Sequence, residues 1–308
     1  MPRSFARILP MLAVILFCGA CAQVQNIRVE PRQGFSEAPV VDRDYWKKAA
    51  IALKSDARTE FGRQTENLLL QTLIKTIGHE AERLRLLTPD DKQFPDFMKS
   101  ANPFADPKAA FELHKKARMQ GFQYLLQASV LDILPVEKKK GIWWFRGTKY
   151  YLNVVMSLDL YDTFTAAKIS SQVMEKLVKI SSSAYENYQA GMPDNIEAVD
   201  EAIVDMAQEM GELAAEQIDA SHWMAAVTEV QGRQVHLAVD SESGLEQGDL
   251  LAVFEGRRIA DGLNGEKFII PGYKVANIEI VAVGADGATA QTETPADIQP
   301  GDIAIPAK

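Results

Sequence analysis

Side-chain chemistry needs a nucleophile, a proton carrier or a set of metal ligands, and this 308-residue chain groups few of them. Its four histidines are His79, His114, His222 and His236. None has another His, Cys or acidic residue at a metal-ligand offset, apart from Glu80 directly after His79, and adjacent positions on a helix or turn are expected to point apart. Helix ends and turns are the expected settings of all four. From Cys21 onward there is no phosphate-cradling P-loop, no G-x-S-x-G elbow, no H-E-x-x-H and no C-x-x-C. No cofactor, metal or catalytic residue is therefore expected. Asp249 and Asp302 each follow a glycine, as Gly248-Asp249 and Gly301-Asp302. Two carboxylates without further ligands make a poor cation site, so these pairs read as structural turns, in which Gly permits a positive φ and Asp bonds backbone amides. The side chain best set for covalent chemistry is Cys21, a thiol preceded by the small pair Gly19-Ala20. The most conspicuous surface candidate is Lys138 to Gly147, which carries Trp143, Trp144 and Phe145 among basic residues. Large aromatics in a Gly-bounded loop must bury against something. They either cover their own sheet or form a docking tip for a partner or a membrane surface.

Arg3 and Arg7 precede an apolar run from Ile8 to Cys18, broken once by Pro10. This is the layout of a secretory leader. It is too short to span about 30 Å of hydrocarbon, which takes roughly 20 apolar residues. Gly19-Ala20-Cys21 resembles a bacterial lipobox, although Cys18 stands where that family prefers Leu. The resemblance implies cleavage before Cys21 and acylation of its thiolate, with residues 1–20 as signal peptide. An ordinary signal peptide cleaved nearby is the alternative. Each buried methylene of an acyl chain contributes about 0.8 kcal/mol, so several chains on one Cys give a durable tether. Ala22 stands where inner-membrane lipoproteins typically carry Asp, which implies the outer membrane of a Gram-negative cell. Of the 308 residues, losing 20 leaves 288, enough for one or two domains, and only Cys21 remains of two cysteines. Stability must then come from a core rather than a disulfide. Losing Arg3 and Arg7 takes the 33 basic residues to 31 against 42 acidic ones, and the net charge from −9 to −11. That argues against a nucleic-acid or anionic-lipid surface as the main function.

These residues need elements to hold them. Residues 21–44, with Pro31, Gly34 and Pro39, read as a lipidated flexible tether. A short strand is expected at Ala49–Leu53. A helix from Thr59 to Ile77 should follow, with Phe61, Thr65, Leu68, Leu69, Thr72, Leu73 and Ile77 on one face and Gly78 as its stop. Arg83–Leu87 reads as a second strand. Asp106-Pro107 reads as an N-cap with Pro at the first helical position of a helix ending at Gly121. Long strands are expected at Phe122–Leu134, Tyr150–Asp162 and Ser171–Ile180, antiparallel to one another. Asn195–Ala220 reads as a helix with Asp194 and Glu197 at capping-box spacing. Its stripe is Ile196, Val199, Ile203, Met206, Met210 and Leu213. The stripe also fits a heptad, but packing on the preceding sheet is the favoured reading over a partner coiled coil. Beyond residue 220 the pattern becomes short β runs. Asp286-Gly287 is a two-residue hairpin turn signal, and the whole tail suggests a small barrel or sandwich.

The join Ala117-Arg118-Met119-Gln120-Gly121-Phe122-Gln123-Tyr124-Leu125-Leu126-Gln127-Ala128 resembles one found in CsgG, TolB-N-terminal and LpoB-like envelope domains, where a helix ends at Gly and a sheet strand begins. Leu158-Asp159-Leu160-Tyr161-Asp162 resembles their L-x-L-x-D strand end. Gly244-Leu245 with Gly248-Asp249, then Lys274–Val283, then Pro300-Gly301-Asp302, resembles the C-terminal domain of flagellar assembly protein T (FlgT). That family carries a TolB-like domain before its tail, although its best-known members are soluble in the periplasm.

The expected fold is α+β or α/β. A mixed sheet with flanking helices over 45–220 is followed by a small all-β, barrel-like domain over 221–308. The expected function is non-catalytic: a periplasm-facing outer-membrane lipoprotein supporting assembly or stability of an envelope machine. The resemblance implies flagellar ring components as partners, and homo-oligomers stay open. An LpoB-like regulator of a peptidoglycan synthase and a CsgG-like secretion component are the alternatives.

Overall fold

Small and apolar residues in unbroken succession suit a strand buried on both faces, and Lys47–Leu53 (KKAAIAL) is such a strand. In the computed structural model, which describes residues 33–38, 44–55, 60–100, 102–141, 147–192, 196–293 and 296–307, it is β1, with Ala49, Ala50 and Ile51 fully buried. Parallel neighbours need crossovers, and two helices supply them. Helix α1 (Glu60–Glu80) leads to β2 (Leu84–Leu87), and α2 (Pro107–Arg118) leads to β3 (Tyr124–Lys140); both strands pair with β1 in parallel. The stop expected at Gly78 is not used. That residue lies inside α1, its φ is not positive, and nothing crowds it. Helix α2 begins as expected: the Asp106 carboxylate accepts from the Lys108 and Ala109 amides at 3.3 Å each, with Pro107 at the first helical position. It ends before Gly121, at φ +78°.

Two long antiparallel strands complete the sheet, β4 (Gly147–Asp162) and β5 (Ala167–Ile180), in the order β2-β1-β3-β4-β5. The β3–β4 ladder runs from Tyr124↔Asp162 to Lys140↔Gly147 with one bulge at Leu131. Strands β3 and β4 run further than their hydrophobic pattern suggested, because their outer rungs, Glu137–Lys140 against Gly147–Tyr150, lie beyond the core and are mostly polar, while β5 begins earlier, at Ala167 beside the β4–β5 turn. A short helix α3 (Ser182–Gln189), capped by Ser181, precedes α4 (Glu197–Asp219). Glu197 opens α4 directly after Ile196, whose side chain makes no cap bond, so Glu197 stands at the first helical position and not at the third, as the expected capping box has it. Asp194 lies outside the described residues.

Helices α1 and α4 lie on one face of the sheet. Leu69, Leu73 and Ile77 meet Ile203, Met206 and Met210 over Leu152, Val154, Met156, Leu158 and Leu160. Full burial of such a side chain contributes about 1.5–3 kcal/mol. The α4 stripe is thus core, as favoured, except that Leu213 is 41% exposed. Gly211 permits the close approach of the two helices: a Cβ there would sit 2.9 Å from the Thr76 side chain. On the opposite face, Leu113 and Ala117 of α2 cover Ala50, Ala52 and Leu125.

The remaining strands are β6 (Ala225–Gln231), β7 (Gln234–Ala238), β8 (Leu250–Phe254), β9 (Arg258–Asp261), β10 (Lys267–Ile270), β11 (Lys274–Gly284), β12 (Gly287–Gln291) and β13 (Ile303–Pro306). Six of them close an antiparallel barrel in the order β11-β12-β7-β6-β13-β8, while β9 and β10 form a separate hairpin. Alternate residues such as Val227, Val235, Leu237, Val253, Ile278 and Ile280 fill the interior. The hairpin expected at Asp286-Gly287 exists one residue earlier. Gly284 pairs with Gly287, so Ala285 and Asp286 form the turn. Gly287 starts β12 at φ +148°, where a Cβ would strike the Leu237 carbonyl oxygen at 2.8 Å.

Sheet and barrel belong to one compact unit, Gln33–Lys308, and the five buried clusters of the described residues lie in it. Buried Lys47 donates to the α4 carbonyls of Ile218 (2.5 Å) and to Ser221 (2.9 Å), meeting the negative end of the helix dipole. Burial pushes its pKa down, and Asp219 opposes this. The Gln123 amide nitrogen donates to the His222 carbonyl, and Gln123 Oε1 accepts from Met224 N at 3.2 Å. Trp223 Nε1 donates to Trp46 O at 3.1 Å, and Phe164 from the β4–β5 turn is buried against the barrel's outer wall. The incoming segment is fastened to the barrel: Phe35 N bonds Gly272 O at 3.1 Å, and Lys274 N bonds Gln33 O at 2.9 Å.

Candidate functional site

The two glycine–aspartate pairs are the expected site residues that the structure places most fully. Each Asp turns back on the residue three before it: Glu246 N bonds Asp249 Oδ2 at 2.8 Å, and Gln299 N bonds Asp302 Oδ2 at 2.9 Å. Each preceding glycine has positive φ, +95° at Gly248 and +91° at Gly301. Each turn also stitches to another strand through two backbone bonds. Gly248 N and Asp249 O bond Ile280, and Gly301 N and Asp302 O bond Val227. The same turn therefore precedes β8 and β13, which pair with each other. The barrel is built from two copies of hairpin, turn and strand: β6-β7-β8 and β11-β12-β13. Asp302 has a second task. Its side chain, 0% exposed, also accepts from Gly256 N at 3.2 Å and Arg257 Nε at 2.9 Å. Burial raises its pKa, while the Gln299 and Gly256 amides and Arg257 oppose that. Neither pair approaches other ligands; no group of three or more His, Cys, Asp or Glu able to hold a metal occurs among the described residues.

Cys21 and the aromatic trio Trp143, Trp144 and Phe145 lie outside the described residues. The strands that lead to the trio are described, and they form the most extended surface of the fold. Opposite the helical layer, the cluster that covers the sheet among the described residues lies over β1, the start of β3 and the end of β4 at Tyr161. Cross-strand rows toward the other end read Ser129–Ser157–Val173, Leu134–Asn153–Leu177 and Val136–Tyr151–Lys179. Leu134, Val173 (62% exposed) and Leu177 (43% exposed) stand in solvent on this face. Strand β5 is also the sheet's outer edge, with one side of its backbone unpaired by any strand among the described residues. Long exposed edges are templates for another chain.

Two polar residues with no functional role expected from the sequence sit on α2. His114 is 2% exposed, its Nδ1 has no hydrogen-bond partner, and it packs beside Phe104 and Tyr161 at 5.5 Å. Burial lowers its pKa to about 4, so it is neutral at pH 7. The expected helix-end or turn setting does not hold for it. Nor do His79 and Glu80 point apart: Nδ1 and Oε1 are 2.8 Å apart on the surface. Arg118, 4% exposed, ends α2. Both residues look like members of a solvated basic face in sequence. The signal that they are covered is Phe111 beside Leu113 and Ala117, which puts apolar groups on two sides of one helix.

Among the described residues, no helix is long and apolar enough to cross a membrane. No family model matches the chain, and no curated protein matches it. Solved structures similar to parts of it include a minor lipoprotein from Acinetobacter baumannii, at 14% identity over 56% of this chain and 95% of that one, with a TM-score of 0.30. The PelC dodecamer from Paraburkholderia phytofirmans gives 14% identity, 58% and 92% coverage and a TM-score of 0.29. Uncharacterized lipoprotein B from Nitrosomonas europaea gives 10% identity, 62% and 92% coverage and a TM-score of 0.28. Likeness at this level says nothing about what the chain does.

Proposed function

We propose that this protein is a lipid-anchored component of the bacterial cell envelope, held by Cys21 at the outer membrane and facing the periplasm. It works by protein contact rather than catalysis. The observation that carries this reading is the bare outer face and free edge of β5, a 14-residue strand whose Val173 and Leu177 stand in water beside Leu134. An edge of this length suits a partner strand that adds to the sheet through main-chain bonds, with side chains settling on the apolar rows. The machine assembled or stabilised in this way is, by the resemblance of the Ala117–Ala128 join and the glycine–aspartate tail, first of all a flagellar basal body.

The test is crosslinking of the full-length protein in cells, followed by purification from outer-membrane fractions and mass spectrometry. The wild type is expected to bring flagellar ring or rod proteins. The double variant Val173→Glu, Leu177→Glu, altered at two exposed positions, is expected to keep its fold and lose most of that recovery. Recovery of a peptidoglycan synthase without flagellar proteins overturns the flagellar assignment in favour of a synthase regulator. Unchanged recovery with the double variant removes β5 as the docking surface. A soluble protein without an acyl mass on Cys21 overturns the anchoring.

A further inference from the structure

An arginine carries five N–H donors, and leaving them unpaired away from water is costly. Arg118 is buried with its guanidinium over the Phe164 ring, 5.9 Å from the centroid, yet neither a hydrogen bond nor an ion pair to it occurs among the described residues; Nε and Nη1 are shut from solvent without a hydrogen-bond partner. The two carboxylates whose charge reaches it are occupied elsewhere. Asp162 accepts from Thr165 Oγ1 at 2.6 Å and from Phe164 N at 2.9 Å, and Asp302 serves Gln299, Gly256 and Arg257. Burial depresses the pKa of Arg118, while Asp162 and Asp302 oppose that. Its remaining nitrogen, Nη2, lies against Gly301, where an added Cβ would be 3.5 Å away.

Arg118 lines a cleft of about 350 Å³ between the end of α2 and the barrel. Phe111, Met119, Ile259, Ile269 and Pro300 make its walls largely apolar, and Lys115 and Arg257 join Arg118 as its charged residues. All three are cationic, and no acidic residue is among the described residues that line the cleft; Lys115 and Arg257 are paired outside it, with Glu112 and Asp302, which leaves Arg118 as the cation without a carboxylate contact. The size falls within the range of small-molecule sites, roughly 300–1,000 Å³, and an apolar wall with few placed polar groups is their usual make-up.

We propose that this cleft binds a small amphipathic anion, a carboxylate on an apolar chain, with Arg118 taking the carboxylate and Phe111, Met119, Ile259 and Ile269 the apolar body. The site is independent of β5 and of the docking role proposed above. Octanoate is the probe, titrated calorimetrically into the full-length protein, with octanol and inorganic phosphate as controls. Octanoate is expected to bind one to one, at least about tenfold more tightly than octanol, the factor of one charge-assisted hydrogen bond. Phosphate, lacking an apolar body, is expected to bind more weakly still. Arg118→Met should remove the preference for octanoate over octanol. Should that variant fail to fold, Ile259→Glu serves instead. It adds a negative charge at an exposed position of the cleft wall, and should weaken octanoate several-fold while leaving the melting temperature unchanged. Absent octanoate binding, equal binding of octanol, phosphate binding as tight as octanoate, or octanoate affinity unmoved by the folded variants would each overturn the proposal.

Discussion

Single side chains on α2 and in the glycine–aspartate turns make the sharpest claims on stability. His114 is neutral when folded, with a pKa near 4, against about 6.5 in an unfolded chain. As pH falls from 6.5 toward 4, the unfolded chain takes a proton that the folded one refuses. The stability associated with a neutral His114 is therefore complete above pH 6.5 and lost toward pH 4. Between pH 7 and pH 5 the loss amounts to about 2 kcal/mol. The raised carboxyls of Asp162 and Asp302 act in the opposite direction, so the measurement is a difference: urea unfolding of wild type and His114→Leu at both pH values. The variant should lack this share of the acid sensitivity; parallel losses would mean that His114 is not held neutral. The paired turns permit an internal comparison. Asp302→Ala strips an acceptor from Gln299, Gly256 and Arg257, and should cost about 3 kcal/mol. Asp249→Ala, which removes the equivalent bond to Glu246, should cost about 1 kcal/mol. Equal losses in urea unfolding would deny Asp302 its extra role.

At the scale of elements, the two helical glycines give opposite expectations from one residue type. Gly78 lies in α1 with open space around it, so Gly78→Ala should stabilise by about 0.5–1 kcal/mol through helix propensity alone. Gly211→Ala pushes a methyl against Thr76 at 2.9 Å and should destabilise. Thermal melts of the two variants should move in opposite directions. The same two glycines show what sequence can carry. Gly78 looked like a stop because glycine so often ends helices, but this backbone never needs a positive φ there. The α1 and α4 stripes were legible because Leu69, Leu73, Ile203 and Met210 recur at helical spacing over many turns. Helix α3 was not legible, since it spans only eight residues and buries one large side chain, Tyr185. The four-residue strands β9 and β10 are mostly exposed and show no sustained alternation. The repeated turn was visible as Gly-Asp followed by an apolar strand start. The burial of Arg118 was not, because Phe164 and Gly301, which lie against it, come from other parts of the chain.

For the whole molecule, the question is whether sheet and barrel unfold together. Their junction is dense: Arg85 of β2 paired with Asp240 at 2.9 Å, Gln123 bonded to the His222–Met224 segment, Trp223 packed on Tyr45 with ring centroids 5.0 Å apart, and Phe164 against the barrel wall. Gly121 and Gly244 bring backbone into contact across it, since a Cβ at either would strike a carbonyl oxygen, at 2.9 Å and 2.6 Å. One cooperative transition is expected. Far-UV circular dichroism, dominated by helices α1 and α4, should melt together with the near-UV signal of Trp223 at the junction. Two separated midpoints would show that the junction is weaker than its contacts.

The fastening of Gln33 and Phe35 to the barrel also has a mechanical meaning. A load arriving along the chain from its N-terminal side reaches the barrel before it reaches the sheet. It first meets the short backbone clamp at Gly272 and Lys274, with the Phe35 ring edge-on to Phe254 at 5.4 Å. Such a clamp relieves strain. A pull on the chain ahead of Gln33 would spend itself on a few bonds at the barrel rim, and the β5 edge of the sheet would keep its shape.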